Sequence, residues 1–235
     1  MAIAIDATSS GTGTAGTTVT VPHTCTGSNL VLIVVAGATD GVSTPTCTYN
    51  GVSMTQGAIR DVASEMFSIV FYLVSPDTGT HDIVLTKGSG DEFGVMGISF
   101  TGAGGVSATA SNSGGGTDTT ATVTVNTATT GNGYVVAGGA NNVAAITVTY
   151  TGSGAEFANV TTASQRYMAA RTAFAAGADV TESWTKAASK WSLCGIEVYE
   201  ASTTSIKTVD GLAVASVKTV DGLAIASVKN INGLA

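Results

Sequence analysis

The apolar residues of this chain recur at every second position or in short unbroken runs, and that spacing admits β-strands and little else. Thr17-Thr-Val-Thr-Val21 alternates, as a strand covered on one face does. Leu30-Val-Leu-Ile-Val-Val-Ala36 is unbroken, the pattern of a central strand covered on both faces. Further strand-like runs lie at 46–54, 66–74, 80–86 and 93–100, then at 121–125, 133–137, 145–150, 165–174, 183–187 and 191–199. Asn50-Gly51 interrupts the first of these as a two-residue hairpin turn, because both residues tolerate the left-handed backbone the turn demands. Thr, of which there are 38, fits a pleated surface through its branched Cβ, and 30 Gly supply turns. No long Ala/Leu/Glu/Lys run at helical spacing appears. The spacing predicts an all-β chain whose residues 1–202 form one antiparallel β-sandwich of roughly eleven strands, jelly-roll-like in character. The Gly/Ser/Thr-rich stretch 102–119 reads as an exposed connection between two halves of that sandwich, and 168–176 also fits a short helix.

Residues 203–235 are a different object. Ser205-Ile-Lys-Thr-Val-Asp-Gly-Leu-Ala-Val-Ala215 is followed by Ser216-Val-Lys-Thr-Val-Asp-Gly-Leu-Ala-Ile-Ala226 and a shortened third copy, Ser227-Val-Lys-Asn-Ile-Asn-Gly-Leu-Ala235. The period is eleven residues, and each copy reads strand, Asp-Gly or Asn-Gly turn, strand. An isolated hairpin is marginal in water, so the expectation is a β-hairpin repeat tail that assembles with other copies or docks on a neighbour. The residues expected to carry this are Val209, Gly211, Leu212, Val214, Val220, Gly222, Leu223, Ile225, Ile231, Gly233 and Leu234. Docking back on the chain's own sandwich is the alternative.

Charge limits the partners. The chain carries −7 overall at pH 7. Residues 1–204 hold 6 Lys+Arg and 14 Asp+Glu, giving −8, and the tail holds 3 Lys and 2 Asp, giving +1. An acidic body repels phosphate, so nucleic acid is not expected as a partner. The longest apolar run is far short of the roughly 18 residues of a membrane span. The start, Met1-Ala-Ile-Ala-Ile-Asp6, lacks the basic and long apolar regions of a signal peptide, and synthesis in a cytoplasm is expected.

Groups that could carry chemistry are few. There are only 2 His: His23 follows Pro22, and His81 adjoins Asp82 in a strand where neighbours point to opposite faces. No Gly-x-Ser-x-Gly elbow is present, so a catalytic triad would have to recruit distant residues. The 3 Cys (Cys25, Cys47 and Cys194) show no metal-ligand spacing; three buried thiols are expected, with a Cys25–Cys47 bridge as the alternative. Asp91-Glu92, with Asp40 or Asp77, are candidate Ca²⁺ ligands against a plain reading as solvated loop charges. Trp184 and Trp191, with Tyr167 and Tyr199, are a candidate glycan platform; their alternation favours the core. No enzyme activity, cofactor or metal is expected.

The run Lys-Thr-Val-Asp-Gly-Leu-Ala at 207–213 and again at 218–224 resembles C-terminal repeats of tailed-bacteriophage virion proteins. Asn29 to Ala36, Cys47-Thr-Tyr-Asn-Gly-Val-Ser-Met54, Val70-Phe-Tyr-Leu-Val-Ser-Pro76 with Gly79-Thr-His81, and Gly97-Ile-Ser-Phe-Thr-Gly102 look like the jelly-roll domains of such particles. The resemblance implies a structural virion role (capsid decoration, head fibre or tail appendage) with copies of the chain, as a trimer or polymer, and a capsid or tail protein as partners. It transfers no catalytic residue. A carbohydrate-binding adhesion module, with surface glycan as partner, is the alternative.

Overall fold

The structure is a computed structural model that describes residues 2–39, 45–62, 65–201, 208–209, 212–213, 219–220 and 223–224. Every described regular element is a strand, and every strand pairing is antiparallel. The chain divides into two units, Met1–Ser202 and Thr203–Ala235.

In the larger unit, β1 (Ala4–Cys25), β2 (Val31–Thr39), β3 (Thr46–Tyr49), β4 (Val52–Ser53), β5 (Thr55–Val62), β6 (Met66–Val74) and β7 (Gly79–Thr101) form one sheet, bent back on itself. The bend lies within its two longest strands. Residues 79–86 of β7 pair with β3 and with 18–25 of β1, whereas 93–101 pair with β2 and with 4–13 of β1. Register shifts between Gly13, Gly16 and Thr18 mark the corner, where an irregular ladder lets the strand turn. An outer layer β4-β3-β7-β1 therefore faces an inner layer β5-β6-β2-β7-β1. Leu32, Val34, Phe67, Phe71, Ile83, Leu85 and Val95 fill the space between them. Each such side chain contributes roughly 1.5–3 kcal/mol by leaving water. Asn50 (φ 49°) and Gly51 (φ 74°) close the β3–β4 turn with both residues left-handed, as the Asn-Gly pair predicts.

The rest of the unit repeats this plan. β8 (Ala103–Gly114) and β9 (Thr120–Val125) stand where the two parts of β1 stand. β10 (Gly133–Asn141), β11 (Val148–Tyr150), β12 (Ala155–Thr161) and β13 (Arg166–Phe174) follow as β2, β3, β5 and β6 do. β14 (Val180–Lys186) and β15 (Trp191–Glu200) match the two parts of β7. The pairings agree one for one: β12-β13-β10-β15-β8 is the inner sheet and β11-β14-β9 the outer one. Short stretches of sequence repeat on matching strands: Val34-Val-Ala-Gly37 and Val135-Val-Ala-Gly138, Thr46-Cys-Thr-Tyr49 and Thr147-Val-Thr-Tyr150, Gly97-Ile98 and Gly195-Ile196.

The two inner sheets meet face to face, with β5 beside β8, β12 beside β1, β6 beside β15 and β2 beside β10, an arrangement with approximate two-fold symmetry. Val31, Ile33, Ile98 and Phe100 from one side meet Val136, Tyr167, Ile196 and Val198 from the other. Gly94 makes this contact possible, because a Cβ there would lie 2.2 Å from Cγ of Tyr167. Ser68 and Ser192 satisfy each other across the same seam, Oγ to Oγ at 2.6 Å, and Ser68 Oγ also accepts from the Ala140 amide at 3.1 Å.

The all-β, antiparallel, sandwich-like expectation holds, but the body is four stacked layers and not one pair of sheets. The stretch 102–119 is not a connection: β8 occupies 103–114 and pairs with β15 as an edge strand. Its polar composition reflects one face turned to solvent, with exposed and covered residues alternating along much of its length. The segment 168–176 is strand through Phe174 and not helix. It reads ambiguously because its sheet is covered on both faces, so successive residues Tyr167, Met168, Ala169 and Ala170 are all buried.

Candidate functional site

In the tail, β16 (Thr208–Val209) pairs with β17 (Leu212–Ala213), and β18 (Thr219–Val220) with β19 (Leu223–Ala224). Val209, Leu212, Val220 and Leu223 lie on these strands. Gly211, Val214, Gly222, Ile225, Ile231, Gly233 and Leu234 lie outside the described residues.

Both tryptophans are core residues. Trp184 is fully buried and Trp191 is 4% exposed, packed with Ala121, Val123, Met168 and Leu193 between β9, β13, β14 and β15. Their indole N–H groups donate inward, to Glu156 Oε1 at 3.1 Å and to Asp118 Oδ2 at 3.2 Å. Neither ring face is open to a sugar, which corrects the platform reading. Tyr167 is likewise buried.

The chemistry-bearing side chains are brought together elsewhere than the sequence suggested. His23, 2% exposed, lies between Ser9 and Ser99. Ser99 donates to Asp6 Oδ2 at 2.9 Å, so its oxygen accepts from His23 Nε2 at 3.0 Å. That leaves Nδ1 to accept from the Ser9 hydroxyl at 2.8 Å. Asp6 also receives the Thr26 amide at 2.8 Å and the Thr26 hydroxyl. Burial holds His23 below its ordinary pKa despite the nearby Asp6 charge. Burial would raise Asp6, but the bonds from Thr26 and Ser99 outweigh it and the carboxylate ends below its usual range. The order Ser–His–Ser–Asp has the connectivity of a relay. A base this enclosed, with both nitrogens bonded, offers no position to a substrate. Sequence reading missed the cluster because its members stand up to 93 residues apart; the signal was Gly97, which pairs with Ser9 and leaves room for the Ser9–His23 bond.

The second half fills the matching corner differently. Glu197 follows Gly195 by two positions, as Ser99 follows Gly97. It accepts the amides of Ala128 at 2.8 Å, Thr129 at 3.1 Å and Ala108 at 3.2 Å. Burial raises its pKa less than these bonds lower it, and the carboxylate stays charged. Val125 packs beside Gly195. In each half a carboxylate thus ties down the turn after the second strand segment, which is a structural task.

The remaining candidates are also committed to the fold. Glu92 accepts from Ser164 N at 3.0 Å and Oγ at 2.6 Å and from Thr162, so it joins β7 to the β12–β13 turn. Asp77 accepts from Asn50 Nδ2 at 2.9 Å, and Asp40 lies outside the described residues. Among the described residues no three His, Cys, Asp or Glu side chains gather as metal ligands. Cys25, Cys47 and Cys194 are free and buried, as the preferred reading had it. Burial pushes the Cys47 thiol up to about 12 and Cys194 up as well, so neither is a thiolate nucleophile at neutral pH. His81 donates from Nε2 to the Thr78 carbonyl at 3.1 Å, beside a surface cleft also lined by Asn50, Thr80 and Asp82.

The outward faces of the two outer sheets are the least ordinary surface of the body. On β9 and β14 the outward residues are Thr120, Thr122 and Thr124 against Thr185, Ser183 and Thr181. Thr149 extends the first row and Thr151, whose amide donates to Ser183 O at 2.8 Å, the second. The first half repeats the rows as Thr46–Thr86–Thr18 and Thr48–Val84–Thr20, with Thr80 beside Thr24.

Comparison of the chain with known protein families, curated proteins and solved structures finds no match. No helix among the described residues is long and apolar enough to cross a membrane.

Proposed function

We propose that this chain is a structural protein of a phage-like particle, a decoration, head fibre or tail appendage, whose C-terminal repeats hold copies together or anchor them to a shell. The observation that carries the reading is the tail. Three repeats of one strand–turn–strand pattern set Val209, Leu212, Val214, Val220, Leu223 and Ile225 in a segment too short to bury them alone. Tails from several copies, or a strand edge on a neighbour, supply the missing cover. The body supports the reading in a second way: His23, Asp6, Glu92 and Glu197 are bonded within the fold, and the three thiols are buried. Each half is also a pair of packed antiparallel layers, a rigid unit suited to display. The location implied is the virion.

The reading is tested through the tail turns. Gly211→Val and Gly222→Val place a branched side chain at the glycine of each Asp-Gly pair, where the hairpin reading of the sequence calls for a left-handed residue, at a cost of about 1–2 kcal/mol per turn. The variant chain is expected to lose assembly in light scattering while its body unfolds at the wild-type temperature. Assembly equal to that of wild type refutes the hairpin-based mechanism.

A further inference from the structure

We infer that the outward threonine faces of the two outer sheets are contact surfaces for a second copy of this chain, so that each body is a two-sided connector. The inference rests on the assembly reading and names the body surface that takes part in it.

The case begins with charge. Residues 1–202 carry 6 Lys+Arg and 14 Asp+Glu, net −8, so two bodies repel wherever their charged surfaces approach. The β9–β14–β11 face has no charged side chain among its outward residues, and the matching face of the first half has one, Asp82. A soluble surface ordinarily carries roughly a quarter charged residues, mixed in sign. These faces are where copies meet with least repulsion. Their chemistry is self-matching: each Thr offers a methyl for packing and a hydroxyl that both donates and accepts. Thr124 and Thr181 already bond across the ladder at 2.7 Å, and Thr24 and Thr80 at 2.8 Å, so the side chains are preset in rows. The absence of outward aromatic rings there disfavours a sugar as occupant.

Geometry sets the valence and the strength. The four layers stack in one direction, so the two outer faces look to opposite sides and a chain can contact one neighbour on each. A three-stranded face about 14 Å wide and about 17 Å long covers on the order of 250 Å², from strand spacing and rise. Two such faces bury on the order of 500 Å² together, about half of the roughly 1,000 Å² of a stable interface, so they associate measurably only when the tails already raise the local concentration.

The experiment uses the full chain with Thr20→Glu, Thr122→Glu and Ser183→Glu together, and a second variant with Lys at the same positions. Light scattering across a concentration series is read beside each variant's unfolding temperature. The expected result is that both variants fold as wild type and both lose the concentration-dependent rise in mass, by about twofold or more at the highest concentration. Loss in the Glu variant alone, with the Lys variant unaffected, would show general repulsion and overturn the inference. So would an unchanged rise in both, which leaves the face to another occupant. Truncation at Ser202 tests the tail independently, so failure of one reading is distinguishable from failure of the other.

Discussion

Tyr167 is the side chain that locks the two halves of the body together, and its removal should show in a double-mutant cycle with Gly94. The ring of Tyr167 is fully buried and lies on a shelf of β7 and β2. A Cβ at Gly94 would stand 2.2 Å from its Cγ, 2.5 Å from Cδ2 and 2.6 Å from Cβ, and one at Gly37 would stand 3.1 Å from Cδ1. Contacts below 3.0 Å force movement, so Gly94→Ala must push the ring and its strand by about 1 Å, costing about 1–3 kcal/mol. Tyr167→Ala empties the shelf and costs about 3–5 kcal/mol. In a body of this size that is roughly 6–20 °C in Tm. With the ring gone, two of the three close contacts vanish and the third has space to relax, so Gly94→Ala should cost at least about 1 kcal/mol less in the Tyr167→Ala background. Urea unfolding of the four proteins measures the coupling. Additivity within about 0.5 kcal/mol would refute the shelf-and-ring account of the seam.

Other consequences follow from the polar interior. Folded His23 resists the proton that the unfolded chain takes up below pH 6.5, so its share of stability is complete above 6.5 and is lost as pH falls from there toward the lowered value. Urea unfolding at pH 7.5 and pH 5 should show that loss in wild type and a smaller one in His23→Gln; equal losses would contradict it. Glu197→Ala strands the amides of Ala108, Ala128 and Thr129 and should cost about 3–5 kcal/mol by thermal unfolding, whereas a cost under about 1 kcal/mol would mean those amides find other partners. Lys186→Met removes donors to Asp118 O and Ser189 O, at 2.5 and 2.7 Å, and should open the 115–119 and 187–190 turns to limited proteolysis at neutral pH. Soluble oligosaccharides should leave tryptophan emission unchanged, since Trp184 and Trp191 are enclosed; a saturable shift would reopen the glycan reading.

Much of the fold was legible because strand alternation is a local signal. Thr17 to Val21, Leu30 to Ala36 and Asn50-Gly51 stand where the pattern put them. What escaped was whatever depends on partners distant in sequence. β12, Ala-Glu-Phe-Ala-Asn-Val-Thr, is an edge strand with mixed exposure and no clean period. β8 reads as linker because Gly, Ser and Thr carry no hydrophobic period. The repeated plan was marked only by short echoes such as Thr-Cys-Thr-Tyr and Thr-Val-Thr-Tyr, too brief to stand out before the pairings aligned them. Of the sites, burial of the tryptophans followed from alternation and that of the three thiols from an odd cysteine count without metal-ligand spacing, but the Ser9–His23–Ser99–Asp6 chain is closed by the bend in β1 and β7, which no local pattern encodes.

The central claim, that the C-terminal repeats are an assembly device, is tested most directly by the solution mass of the 23.2 kDa chain beside a version ending at Ser202. The account predicts a multiple of the chain mass for the full protein and a single body for the shortened one. The same oligomeric state for both would contradict it.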